Sequence, residues 1–355
     1  MELINTTCAA ASLDVTTIEG VEGKKRARVM AKLTFDVAPD GRLSLVSADP
    51  MPLLPADVET PVGVLPSDAT GYAHHGIEVI VNGAAYAPGG QPVPEMNVSL
   101  TIGSDVHEAV VTGDRVWVGR GADATPSDPI PFTRMPLTYE RAFGGTSEVW
   151  FDEHTAVPLP YAVNPRGRGF DPEPMALATA RDWNAPAGFP CFDPARPLPN
   201  LEGVHERVSR WEDAPRPWCW STRPSDVLGP VLLPELDADA IRTADPEDLQ
   251  ALPDEAAVAL AMRCHPALVQ VESLAAKPIT LRGMTADGVM GFYAPSGGVV
   301  VDYEIDGRHG TQPLRLRRLL ILPEERRIAL SYEITFRFAF EVNGERSVRV
   351  RIVDR

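Results

Sequence analysis

The residues able to do chemistry are scattered along the chain, and their spacing limits what they could do. His74 and His75 are adjacent. Neighbouring side chains on a strand point to opposite faces, so in regular β structure this pair cannot grip one metal ion. The remaining histidines, His107, His154, His205, His265 and His309, supply no third ligand at a useful spacing. Cys191 lies in Phe189-Pro190-Cys191-Phe192. It has no basic sequence neighbour to lower its pKa and reads as a buried, inert thiol. Ser221 lacks the G-x-S-x-G surroundings of a nucleophile elbow. Asp152-Glu153-His154, or Glu140 with Asp171, could be cast as acid and base, but loop carboxylates are common and nothing sets these at a fixed separation. Neither G-x-x-x-x-G-K-[ST] nor G-x-G-x-x-G occurs, so nucleotide binding has no support. A non-catalytic protein is expected, with no metal and no cofactor.

Three short segments are more informative. They are Pro131 to Gly145, which contains PLTYERAFGG, then Asn164 to Phe170 (NPRGRGF), then Leu198 to Glu202 (LPNLE). Each mixes one or two charged residues with glycine, proline or aromatics. Such a mixture builds fixed, irregular backbone around a polar group that needs a partner once buried. Glu140, Arg141, Arg168 and Asn200 read as members of one internal hydrogen-bond or ion-pair network, with Tyr139 and Asn164 in the same segments. The favoured reading is that the network locks the fold. The alternative is that these loops form a partner-binding face.

The elements that must position these segments are strands. Val29, Ala31, Leu33 and Phe35 alternate with Met30, Lys32 and Thr34, which predicts one buried face. Ala38-Pro39-Asp40-Gly41 supplies a turn, and Asn82-Gly83, after Ile77, Val79 and Val81, predicts a hairpin. Met96, Val98, Leu100 and Ile102 repeat the alternation. Ile328 to Phe340 alternates most clearly, and Asn343-Gly344 is expected to turn it into Val348, Val350 and Ile352. Fifteen prolines between Pro158 and Pro234, with Trp183, Trp211, Trp218 and Trp220, predict an ordered, irregular segment anchored by aromatics. One short helix is expected at Pro246 to Leu252, capped by Asp245. Ala256 to Cys264 stays open between helix and strand. The class is therefore mainly β: two antiparallel β-rich lobes, sandwich- or barrel-like, at 1–150 and 236–355. The Pro/Trp-rich segment 151–235 joins them, and helices are few and short.

Charge narrows the partners. The net charge is −16, so phosphate backbones are repelled and nucleic acid is not expected. The distribution is uneven: Glu235 to Glu255 holds eight acids against one base, whereas Arg308 to Arg355 holds eleven arginines against six acids. A bipolar surface of this kind could select partners by charge, although solvated faces are the plainer reading. The four cysteines have no CxxC spacing and read as free thiols in a reducing compartment. No signal peptide is expected in the first thirteen residues, and no apolar run is long enough for a membrane span. A cytoplasmic protein is expected.

PLTYERAFGG, NPRGRGF and LPNLE, in this order and spacing, resemble the hallmark series of a bacterial family catalogued as a domain of unknown function (DUF2169). Val81 to Gly90, Gly113-Asp114-Arg115-Val116-Trp117 and Ala244 to Gln250 are similar to further family segments, and the resemblance spans roughly residues 25 to 340. It is looser over Ser67 to His75 and over 265 to 312. The resemblance implies an adaptor or chaperone of type VI secretion. Such a protein binds a cognate effector, often one bearing a PAAR tip domain, keeps it soluble, and helps load it onto the secretion spike. The resemblance offers Tyr139, Glu140, Arg141, Asn164, Arg168 and Asn200 as network or partner-binding positions. The acidic stretch adds Asp245, Glu247 and Asp248, with cargo recognition expected around 236 to 312. A β-sandwich hydrolase and a carbohydrate-binding protein are the alternatives. The former needs Cys191 or a carboxylate pair meeting a histidine, and the latter needs tryptophans exposed on a concave face.

Overall fold

The computed structural model describes residues 1–17, 24–68, 76–118, 125–150, 156–161, 164–170, 196–210, 213–223, 263–305, 307–339 and 346–353. Its principal strands are β1 (Glu2–Asn5), β2 (Ala10–Thr17), β3 (Lys24–Val37), β4 (Leu43–Leu45), β5 (Ile77–Val81), β6 (Glu95–Ile102), β7 (Asp105–Thr112) and β8 (Leu201–Gly203). They continue with β9 (Val269–Gln270), β10 (Pro278–Arg282), β11 (Val289–Tyr293), β12 (Gly298–Ile305), β13 (Arg308–Pro313), β14 (Arg315–Leu322), β15 (Arg327–Ala339) and β16 (Arg346–Val353). The fold is mainly β, and helix among the described residues comes as short 3-10 turns such as Tyr139–Arg141 and Pro266–Leu268.

Three sheets carry the structure. A seven-stranded sheet runs β9-β5-β14-β15-β3-β2, with β4 also pairing β3. A five-stranded sheet runs β8-β7-β6-β10-β11, and a four-stranded sheet runs β1-β16-β12-β13. All three orders are open, so none closes into a barrel. Their inner faces share one apolar core, including Val29, Ala31, Leu33, Leu100, Ile102, Leu281, Phe292, Val301, Leu330 and Val350. Each valine, leucine, isoleucine or phenylalanine among them contributes about 1.5–3 kcal/mol when fully buried.

The lobe boundary expected between 1–150 and 236–355 runs across shared sheets instead of between them. β3 lies antiparallel along β15, from Asp36 opposite Arg327 to Lys24 opposite Ala339. β6 pairs β10, and β1 lies parallel to β16. Both ends of the chain therefore build the same layers. The Ala38–Gly41 turn forms as expected: Gly41 donates to Ala38 O at 2.8 Å and has φ +83°, and the turn joins β3 to β4.

Two local expectations change. Asn82-Gly83 does not close a hairpin. β5 lies parallel to β14 and antiparallel to β9, while Ala84–Tyr86 pairs with Arg134–Pro136. Turn chemistry makes a hairpin only when the flanking strands choose each other. β3 also buries both faces through its middle, because Met30, Lys32 and Thr34 are buried as well as Val29, Ala31 and Leu33. Asn343-Gly344, the helix at Pro246 to Leu252, Trp183 and Trp211 lie outside the described residues. Of the segment 151–235, Trp220 is fully buried and packs into the main core, with Trp218 partly buried beside it.

Candidate functional site

Glycines bring the hallmark segments together. Phe143–Gly144 pairs parallel with Arg168–Gly169. Gly144 has φ +141°, and a Cβ there would stand 2.1 Å from the Asn164 carbonyl oxygen. A Cβ on Gly167 would meet Ala142 O at 2.7 Å, and one on Gly169 would meet Pro199 Cδ at 2.7 Å. Only glycine permits these approaches. Asn164, fully buried, fastens the junction: its Nδ2 donates to Tyr139 O at 2.7 Å and to Phe143 O at 3.0 Å. Phe143, Trp117, Leu198 and Val208 form a small apolar cluster beneath, with Tyr161 and Phe170 against it.

The polar centre of this junction is Asn200, which is fully buried. Its Oδ1 accepts from Arg141 Nη1 at 2.9 Å and Arg168 Nη1 at 3.2 Å, and its Nδ2 donates to Thr112 O at 2.9 Å and Asp114 Oδ1 at 3.0 Å. Arg141 and Arg168 also reach Asp114 Oδ1, at 3.1 and 3.6 Å. Arg168 Nε donates to the Glu140 carbonyl at 2.9 Å, whereas the Glu140 carboxylate stands 3.6 Å from Arg166. Burial, and then the neighbouring Arg141 charge, hold the Arg168 guanidinium below its ordinary pKa, against Asp114 and Glu140. Below this centre, Arg115 donates to Pro199 O at 2.9 Å and pairs with Glu202 at 2.7 Å, both groups being buried. Burial raises the Glu202 carboxyl, opposed by Arg115 and the Val208 N–H.

Glu140, Arg141, Arg168 and Asn200 are thus brought to one place, with Tyr139 and Asn164 as its frame. Asp114, Arg115, Arg166 and Glu202 join them without having been singled out as site residues. The Gly113-Asp114-Arg115 run and the arginine inside NPRGRGF were the signals available. Asp245, Glu247 and Asp248 lie outside the described residues, as do His74, His75, Cys191, Asp152, Glu153, His154 and Asp171.

A second ionic network lies on the outer face of the seven-stranded sheet. Lys32, Ser331, Arg318 and Glu78 sit in one register row across β3, β15, β14 and β5. Asp68 pairs with Lys32 and accepts from Ser331 Oγ at 3.0 Å, and Arg318 bridges to Glu78 at 2.8 Å. The Arg263 N–H donates to Glu78 Oε1 at 2.6 Å, and its guanidinium pairs with Asp57. Burial lowers the Lys32 pKa, opposed by Asp68. This network fastens the segment around Asp57 and Asp68 to the sheet.

Burial pushes the Cys219 and Cys264 thiols well above the usual thiol range, which leaves these two little nucleophilic chemistry. Burial likewise raises the Tyr139 phenol. Among the described residues no group of three His, Cys, Asp or Glu side chains is arranged to hold a metal ion. No described helix is long and apolar enough to cross a membrane. What the hallmark junction can do is present guanidinium groups on a rigid frame.

A family model described as "Uncharacterized protein conserved in bacteria (DUF2169)" matches residues 22–333. The chain belongs to that family. No curated protein and no solved structure matches it.

Proposed function

We propose that this member of the DUF2169 family is a non-catalytic cytoplasmic adaptor that binds a type VI secretion effector, one bearing a PAAR domain, and helps load it onto the secretion spike. The observation that carries this reading is the hallmark junction. Segments around residues 114, 141, 168 and 200 converge on one buried asparagine and leave two arginines at the surface. A preorganised arginine pair on a rigid frame suits protein recognition, where arginine is enriched among the residues that dominate affinity. The carbohydrate-binding alternative asks for exposed tryptophans, and Trp117 and Trp220 are buried.

The test is co-expression of the tagged chain with a PAAR-bearing effector encoded beside its gene. The adaptor reading expects a stoichiometric complex, and an effector that is soluble with the chain and aggregates without it. An effector that is soluble alone and never co-elutes removes the reading.

A further inference from the structure

We propose that Arg141 and Arg168 form a docking point for an acidic side chain of the protein partner, which joins them through guanidinium–carboxylate hydrogen bonds beside exposed Ile130. That the partner is the secreted cargo rests on the adaptor reading; the preference for a carboxylate does not.

Charge is the first support. The two guanidinium groups share one carboxylate, Asp114, at 3.1 and 3.6 Å. The nearby acids Glu140 and Glu59 are both engaged by a third arginine, Arg166, at 3.6 and 2.9 Å. With Arg166 paired to Glu59 and Glu140 the cluster of three arginines and three acids balances as a whole, and the positive excess is confined to the point where two guanidinium groups meet the single carboxylate of Asp114. Unused donors are the second support. Arg141 spends Nη1 on Asp114 and Asn200, and Arg168 spends Nε on Glu140 O and Nη1 on Asn200. Among the described residues Nε and Nη2 of Arg141 and Nη2 of Arg168 remain as donors, and the side chains are 26% and 24% exposed. The Nε–Nη2 edge of Arg141 matches the planar carboxylate geometry, and Arg168 adds one further donor beside it.

Preorganisation is the third support. Asn200, which orients both guanidinium groups, is fully buried and hydrogen-bonded through both side-chain atoms, so little entropy is left to lose on binding. Ile130 pairs with Asp114 across an isolated bridge and is 66% exposed, which sets an apolar contact beside the charge. An acidic residue next to an aliphatic one fits this surface.

The probe is a labelled, terminally blocked peptide alternating glutamate with leucine, compared by fluorescence anisotropy with its glutamine counterpart. The full chain is expected to bind the glutamate peptide at least tenfold more tightly than the glutamine one, with affinity falling steeply as salt is raised. Ile130→Glu removes none of the network's own hydrogen bonds but sets a tethered carboxylate beside the guanidinium groups, and is expected to weaken binding about tenfold without lowering the melting temperature, whereas Ile130→Lys strengthens it. Arg141→Lys keeps the charge but loses the Nε–Nη2 edge, and Arg168→Lys keeps the charge but loses the Nη2 donor, so each is expected to weaken binding. Equal binding of the two peptides, no binding of either, or indifference to Ile130→Glu overturns the proposal. Effector capture separates the two levels. If peptide binding behaves as expected but Ile130→Glu still captures effector normally, the docking point is not the cargo's, and that part is overturned. If the parent chain captures no effector while the peptide results hold, the adaptor reading falls and the carboxylate site stands.

Discussion

Glu78 and Arg318 face each other across neighbouring parallel strands, bridged at 2.8 Å, with at most 3% of either side chain exposed. The desolvation cost of such a pair is offset only while both partners are present. Arg318→Ala is expected to cost about 3–5 kcal/mol in denaturant unfolding, because it leaves a buried carboxylate. Replacing both by apolar residues of similar volume, Glu78→Leu with Arg318→Met, is expected to recover only part of that loss, because it also takes a hydrogen-bond partner from the Arg263 N–H and from the Ser67 carbonyl. A double variant as unstable as the sum of the singles would show that the pair contributes stability beyond its own compensation.

Asn200 bridges Arg141 twice, since its Oδ1 accepts from Nη1 at 2.9 Å and its backbone N–H donates to Arg141 O at 2.8 Å. Asn200→Ala empties a fully buried position and takes one partner each from the Thr112 carbonyl and from two guanidinium groups that still keep Asp114. A loss of about 3 kcal/mol is expected. Arg141→Ala is expected to cost less, about 1–2 kcal/mol, because its side chain is a quarter exposed and water can replace part of what it gave. Chemical denaturation of the two variants side by side checks the order, and the reverse order would mean that Arg141, not Asn200, is the keystone.

How far the fold was legible follows from what local patterns carry. The alternation of Ile328, Leu330, Tyr332, Ile334, Phe336 and Phe338 announces β15, and that of Val29, Ala31 and Leu33 announces β3. Nothing local says that these two strands pair with each other across the length of the chain, because partner choice is made by the assembled core. The division into lobes was therefore unreadable. The same limit explains Lys32. On an alternating strand it reads as the solvent face, yet residues around Pro52 and Asp68 cover that face, and the charge is buried and paired. Glu78 left a better signal, as a lone acid inside Ile77-Glu78-Val79-Ile80-Val81, where an unpaired charge would be costly. The hallmark junction was legible in part, because glycines beside arginines and asparagine imply close backbone with satisfied polar groups. Asp114 escaped because it lies outside the three segments that mix glycine, proline and aromatics with charge, and only the fold brings it to Asn200.

The surroundings of Gly144 and Gly89 predict losses of different size for the same substitution. At Gly144 a Cβ would collide with the Asn164 carbonyl and the backbone has φ +141°, so Gly144→Ala must move the junction itself. A loss above about 3 kcal/mol is expected, or failure to fold. Gly89 also has positive φ, +61°, but nothing lies within 4 Å of its Cβ position, and alanine there is expected to cost only about 1–2 kcal/mol. Thermal melts of both variants decide it; similar losses would mean that backbone strain, not the collision, sets the requirement.

The tilted ring contact of His265 with Trp218 predicts acid sensitivity. The ring centroids are 4.3 Å apart, and His265 Nδ1 accepts from the Ala267 N–H at 3.3 Å, which the protonated ring could not do. Burial, with His107, Arg223 and Arg216 nearby, brings the His265 pKa from 6.5 down to about 4. The folded form thus binds its proton later than the unfolded one. The contribution is complete above about pH 6.5, is lost progressively as pH falls to about 4, and amounts to roughly 3 kcal/mol in all. His265→Phe is expected to flatten the stability profile across that window. A variant with the same slope as the parent would assign the acid loss to other groups.

Arg223 and Arg263 predict that the chain between them can be removed without unfolding the rest. The Arg223 N–H donates to Arg263 O at 2.8 Å, and Arg263 Nε donates back to Arg223 O at 3.2 Å, so the two residues flanking 224–262 are neighbours. Both are buried, and Glu78 holds Arg263 in place through its N–H at 2.6 Å. A four-residue glycine–serine linker can span such adjacent ends, and shortening a closed loop lowers its closure entropy instead of raising it. The variant lacking 224–262 is expected to stay soluble, to keep its β circular dichroism, and to unfold cooperatively within a few degrees of the parent. An insoluble or molten product would mean that the three sheets depend on residues 224–262, and that the Arg223–Arg263 contact is a consequence of their packing instead of an anchor that stands without them.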